Sequence, residues 1–168
     1  MTEVGEIRVA AYVAGGFITA DSGYAPILRD LGADGTGHVL VATSPATPAK
    51  EGRPGNERII GTIMLQRWPH AGQVVTGPHE AEIRALAVRP ETQGQGAGRK
   101  LLRHLLRLAS DLGLRHVVLC SETAMRAAHR LYEQEGFVRL PERDWSPVPG
   151  TTLIVYGLHL NGAGTASR

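Results

Sequence analysis

Residues Gln93 to Arg99 read QGQGAGR, with glycines alternating at 94, 96 and 98. The apolar stretch AEIRALAV (Ala81 to Val88) precedes them, and a leucine-rich stretch follows. Glycine lets the backbone approach a ligand closely, and the first turn of a helix leaves N–H groups without partners. With the helix dipole, such a turn suits a pyrophosphate. Two known phosphate loops do not fit. The dinucleotide pattern G-x-G-x-x-G fails because position 99 is Arg, and the Walker loop fails because Lys100 is followed by Leu101. The same glycines also suit a plain tight turn that serves close packing.

Other reactive types point to less. Cys120 lies in the apolar run VVLCS, where no sequence neighbour would partner a thiolate, so it reads as a core thiol. The seven His residues show neither H-x-x-x-H nor H-E-x-x-H spacing, so no metal site is expected. A net charge of +2 is too small to indicate nucleic-acid binding. No apolar run is long enough for a membrane span or a signal peptide. One Cys excludes a disulfide framework and fits a reducing, cytoplasmic setting. With 168 residues, 42% hydrophobic and 20% charged, the chain is expected to be one globular domain.

The elements that must carry the turn follow from periodicity. Leu101, Leu105, Leu108 and Leu112 recur at helical spacing, with Gly113 as a C-cap. HVVLCS (His116 to Ser121) reads as a buried strand, and Thr123 to Gln134 as a second helix ended by Gly136. Strand, glycine turn, helix, strand is a crossover unit, so the strands ending at Val88 and Ser121 are expected to be parallel neighbours. Further strands are expected at His38 to Ala42, Glu57 to Trp68, Val138 to Leu140 and Thr152 to Leu160. Val4 to Ile18 reads as a helix. Thr43 to Asn56 and Pro69 to Pro78 read as loops, and the final NGAGTASR (161–168) as a frayed tail. The fold class is α/β, a mixed sheet with helices on both faces.

The wider string LAVRPETQGQGAGRKLL resembles the acyl-CoA motif of the GNAT-type N-acetyltransferases, [Q/R]-x-x-G-x-[G/A]. Gln93, Gly96 and Gly98 fill its fixed places, and Val88 and Pro90 match the preceding V-x-P. A second family segment, A-x-x-L-Y-x-x-x-G-F, appears as AHRLYEQEGF, Ala128 to Phe137. The two lie in the right order, and the resemblance covers about residues 57–160. It implies a mostly antiparallel mixed sheet with a parallel pair at the cofactor cleft. It also implies acetyl transfer from acetyl-CoA to an amine, on a small molecule or a protein, directly in a ternary complex. A non-catalytic acyl-CoA-binding or regulatory module is the alternative.

The implied roles fall on particular residues. Backbone groups of Leu86, Ala87 and Val88 would pair with the pantetheine arm. N–H groups of Gly94, Gln95, Gly96, Ala97, Gly98 and Arg99 would hold the pyrophosphate. Tyr132 would protonate the leaving thiolate, although Met125, Ala128 and Tyr132 also form an ordinary core stripe. Met125 stands where the family often has Asn, so that hydrogen bond to the arm is lost or replaced. Glu82, eleven residues before Gln93, matches the spacing of a catalytic Glu in some members. By alternation it would share a face with Arg84, Leu86 and Val88; it also suits an ordinary strand-start pair with Arg84. His129 is expected at the surface. Asp21, Tyr24 and Asp30 would suit a cationic acceptor, although the same composition also suits a plain helix–loop–helix. Exposed Trp145 in Pro141 to Gly150 would form a substrate wall or a homodimer contact. The family's opening strand is expected to be missing or very short.

Overall fold

The computed structural model describes residues 1–45 and 57–160. The expected tail and most of the expected Thr43 to Asn56 loop lie outside the described residues. In chain order the elements are α1 (Thr2–Ala14), α2 (Tyr24–Asp30), β1 (Gly37–Pro45), β2 (Glu57–Arg67), β3 (Glu80–Val88), α3 (Ala97–Asp111), β4 (His116–Glu122), α4 (Arg126–Gln134), β5 (Val138–Arg139), β6 (Trp145–Val148) and β7 (Thr151–His159). One sheet runs β1-β2-β3-β4-β7-β5, with β6 also on β7. Only β3 and β4 are parallel among the described pairs. The expected crossover unit is therefore present, with α3 between the two parallel strands.

Helices cover both faces. On one, the α3 stripe of Leu101, Leu102 and Leu105 packs on Ile63, Leu65, Ile83 and Leu119, joined by Tyr132 of α4. Each fully buried Leu contributes about 2 kcal/mol of apolar burial. On the other face, Ile7 and Ala11 of α1 pack on Ala87, and Val9 packs on Ala25 and Leu28 of α2. Fully buried Arg8 ties these helices together by donating from Nη1 to the carbonyls of Leu31, at 2.6 Å, and Leu28. The chain enters α1 at Thr2, with no strand ahead of it among the described residues.

Three local expectations are corrected. First, α4 starts at Arg126, not Thr123, because β4 and a turn take up the intervening residues. Second, Trp145 is half-buried in β6 instead of exposed in a loop, and its indole N–H donates to Cys120 Sγ at 3.4 Å. Third, strict alternation fails in β3. Arg84 stands opposite Met64 and Ala87 opposite Thr62, so Ala85 and Leu86 share the single Ile63. This bulge has Ala85 at φ +50. Beyond it Leu86 joins Ile83 in the α3 core while Ala87 turns toward α1. Glu82 and Arg84 therefore do not share a face with Leu86 and Val88.

β3 and β4 pair only from Glu80↔His116 to Ile83↔Leu119. Past the bulge they separate, leaving a gap at their carboxyl ends. At the opposite end the pair is locked by Glu80, whose carboxylate accepts from His116 Nδ1 at 2.8 Å, from Arg143, and from the amide and hydroxyl of Thr76. Burial alone would raise its pKa, but these hydrogen bonds overrule burial and bring it down to about 2. Because the folded value lies below the unfolded one, this stability is present above about pH 4.5 and is lost as pH falls toward 2. Glu80→Gln is expected to cost about 3 kcal/mol at pH 7, since it leaves Arg143 and His116 without their anion. Urea unfolding at pH 7 and pH 3 checks this: the gap between the two proteins should shrink at pH 3, and parallel losses would refute the role.

Candidate active site

The glycine turn sits where the chain passes from β3 into α3. Gly94 and Gly96 have φ +78 and +83, left-handed values that favour glycine, and Gly96 is the N-cap of α3. The first N–H of the helix with a backbone acceptor is that of Lys100, which donates to Gly96 O at 3.1 Å. From Gly94 to Arg99 no backbone N–H has an acceptor among the described residues. That donor set, at a helix N-terminus, fits a pyrophosphate. The Gln93 side chain is placed otherwise, donating to Val88 O at 3.1 Å and closing the strand end. The Arg99 side chain is engaged with Glu135, at 3.3 Å, and with Gln134.

A cavity of about 800 Å³ runs from this turn along Leu86, Ala87 and Val88 to Met125 and Tyr132. A second, of about 430 Å³, lies on the far side of the gap between β3 and β4. Tyr12, Phe17, Ile83, Arg84, Ala85, Cys120, Ser121 and Met125 line both, so the two meet at the bulge. Tyr132 belongs to the larger cavity and is 7% exposed. Its hydroxyl has no hydrogen-bond partner among the described residues, and burial raises its pKa, so the phenol keeps its proton at neutral pH.

Glu82 lines the smaller cavity and is 7% exposed. Its Oε2 accepts from Gly72 N–H at 2.9 Å and lies 3.9 Å from Arg84 Nε. Arg84 also donates to Gln66 at 3.0 Å. The remaining lining is largely apolar and aromatic, with Phe17, Tyr24 and Trp145 among it. The acetyltransferase (GNAT) family model matches residues 24–137, more than half the chain and the whole of this β3–turn–α3–β4–α4 unit.

The chain belongs to the GNAT acetyltransferase family.

Similarity to individual proteins agrees with that membership. The mycothiol acetyltransferase of Geodermatophilus obscurus is 38% identical over 88 residues, which is 49% of this chain and 26% of that protein. The match thus spans about a quarter of that relative's length. A GNAT-family acetyltransferase from Staphylococcus aureus Mu50 shares the fold at 17% identity, with TM-score 0.66 over 95% of this chain and 92% of that one. So does the PaiA N-acetyltransferase of Thermoplasma acidophilum, solved with coenzyme A, at 14% identity and TM-score 0.63 over 92% and 89%. Acyl-CoA is the co-substrate of the GNAT fold.

Within this GNAT site the sequence expectations divide. The turn, Leu86 to Val88, Met125 and Tyr132 come together in one cavity, and Glu82 stands in the next. Of the acceptor-side residues, Tyr24 and Trp145 line the smaller cavity, while Asp21 and Asp30 are exposed outside it. His129 is not a surface side chain. It is half-buried, 3.0 Å from the Ser121 hydroxyl, and burial lowers its pKa. Two lining groups escaped the sequence reading. Tyr12 on α1 carried no motif. Glu122 is the charged residue that ends an apolar strand, and ligands of parallel strands gather at such carboxyl ends.

Cys120 lies at the meeting of the cavities, so a covalent acyl-Cys route has the right place. Its chemistry is wrong: burial pushes the thiol up to about 11, leaving almost no thiolate at neutral pH.

Proposed function

We propose that this protein transfers an acetyl group directly from acetyl-CoA to an amine while both are bound. The observation that carries this reading is the pair of cavities meeting at the β3 bulge, one leading from the pyrophosphate-type turn and the other holding Glu82. Direct transfer needs two bound substrates whose reacting atoms touch, and adjoining cavities provide that. The backbone beyond the bulge, Leu86 to Val88, has lost β4 as its partner and offers its free groups to the pantetheine amides.

The amine nitrogen attacks the thioester carbon, the C–S bond breaks, and an amide forms. The ammonium must first lose a proton. Glu82 takes it, directly or through one water, on Oε1, which has no partner among the described residues. Tyr132 gives its phenolic proton to the departing thiolate, a role its buried, protonated state supports.

The test is release of free CoA thiol from acetyl-CoA across a set of amines, followed by pH–rate profiles on the best acceptor. In the wild type kcat/KM rises with pH through an acidic limb set by the base. Glu82→Gln lowers kcat/KM at pH 7 by about tenfold or more and recovers at high pH, where free amine is abundant. Using one acceptor for both proteins cancels the ionisation of the amine itself. Overlapping profiles would remove Glu82 from the mechanism. Binding of acetyl-CoA with no thiol release for any amine would favour a non-catalytic acyl-CoA-binding module.

A further inference from the structure

Glu122 is an unused charge in the smaller cavity. It is half-buried at the end of β4, paired in register with Leu153 of β7. Its carboxylate makes neither a hydrogen bond nor an ion pair with any described residue, and burial raises its pKa. The other charges of the cavity are already engaged. Arg84 is held by Gln66 and lies beside Glu82, and Glu82 is held by Gly72. Apart from Glu82, whose Oε1 serves the reacting nitrogen, what remains for a ligand is the Glu122 carboxylate, among Tyr12, Phe17, Tyr24 and Trp145.

Its position relative to Glu82 matters. In the parallel pair Glu82 stands beside Val118, and Glu122 lies 122 − 118 = 4 residues farther along β4. At a rise of about 3.3 Å per residue, that is about 13 Å along the strand. A single ammonium does not reach both carboxylates. Glu82 stands on the paired side of the bulge, whereas Glu122 stands where β3 and β4 have separated, on the side of β6 and β7. Between them stands Arg84, already held by Gln66, and the rest of the lining is mostly apolar and aromatic, which suits a hydrocarbon linker.

We propose that Glu122 holds a second cationic nitrogen of the acceptor, so that the acceptor is a diamine whose apolar linker lies along the aromatic wall. This rests on the acetyl-transfer reading of the same site. One nitrogen reacts at the bulge, and the other stays an ammonium on Glu122. Aromatic faces beside that cation add to its hold. An acceptor carrying a carboxylate or phosphate at the far end meets Glu122 and is repelled.

The test compares para-xylylenediamine with para-methylbenzylamine, which has the same ring and one nitrogen fewer. In the wild type, KM for the diamine is expected to be about tenfold lower, the size of a charge-assisted hydrogen bond. Glu122→Gln should raise KM for the diamine by about tenfold and so close the gap between the two amines. Glu122→Asp should keep part of the preference. Equal KM values for the two amines in the wild type, or an unchanged preference in Glu122→Gln, would overturn the proposal. Because the Glu122 carboxylate has no partner among the described residues, Glu122→Gln leaves none of their buried groups stranded. If neither amine releases thiol, the acetyl-transfer reading fails for them, and melting temperature with CoA and diamine still decides the role of Glu122. A rise in the wild type that is absent in Glu122→Gln supports it, whereas equal rises, or none, sink it.

Discussion

At a hundredfold excess over its Kd, acetyl-CoA is expected to raise the melting temperature of the wild-type protein by about 5 to 10 °C, and Gly96→Glu should abolish that rise. A ligand that binds only the folded state stabilises it by about 2.7 kcal/mol at that excess, and a chain of this size gains about 2 to 4 °C per kcal/mol. Gly96 has φ +83, and no atom lies within 4 Å of the place its Cβ would take. A side chain there thus meets open space in the free protein. Its cost is left-handed strain of about 1 to 2 kcal/mol, seen as a lower starting temperature. The carboxylate, however, projects where the N–H groups of Gly94 to Arg99 would hold a pyrophosphate, and like charges repel. Gly96→Ala carries the same strain without the charge and should keep part of the shift. Equal shifts in wild type and Gly96→Glu, measured by thermal melts with and without acetyl-CoA, would remove the turn from the cofactor site.

The second large effect is at Tyr132. Tyr132→Phe is expected to lower kcat by about 100-fold while the acetyl-CoA thermal shift stays as in the wild type. The ring packs against Phe137 and Tyr156 at centroid distances of 5.8 and 6.1 Å, contacts that Phe retains. Because the hydroxyl has no partner among the described residues, its removal strands no other polar group. The variant therefore separates chemistry from folding cleanly. An unchanged rate in the thiol-release assay would mean that the thiolate draws its proton from water or from Tyr12, the other phenol lining the larger cavity.

What could be read from the sequence was whatever is local and periodic. The leucine stripe of α3, the apolar run of β4 and the glycines between β3 and α3 fixed the crossover unit, and with it the cofactor cavity. Apart from the start of α4, the misreadings turn on contacts made outside the element being read. The bulge at Ala85 depends on how β2 lies against β3, and no residue type announces it, since Ala has little intrinsic preference for positive φ. The pattern of alternating side chains therefore projected Leu86 and Val88 onto the face of Glu82 and Arg84. Trp145 read as exposed because prolines surround it, yet β6 pairs with β7 and turns it toward Cys120. Asp21 and Asp30 were singled out for charge alone, while of the same segment it is Tyr24 that lines the smaller cavity. His129 showed only helical spacing to Tyr132, and its partner Ser121 comes from another strand.

The separation of β3 from β4 has a consequence for how the site is inherited. On the acetyl-CoA reading, the pantetheine arm lies in the gap as a surrogate strand, satisfying main-chain groups of Leu86 to Val88 that no neighbour satisfies. The pyrophosphate is likewise met by main-chain N–H groups. Nearly all of that recognition is written in backbone geometry, which many sequences can produce. Side chains in the slot are then free to drift so long as the bulge, the left-handed glycines and the helix start are kept. On the proposed reading the acceptor cavity is the reverse case, because there Glu82, Glu122 and the aromatic wall would act through side chains, and each replacement would change what can be acetylated.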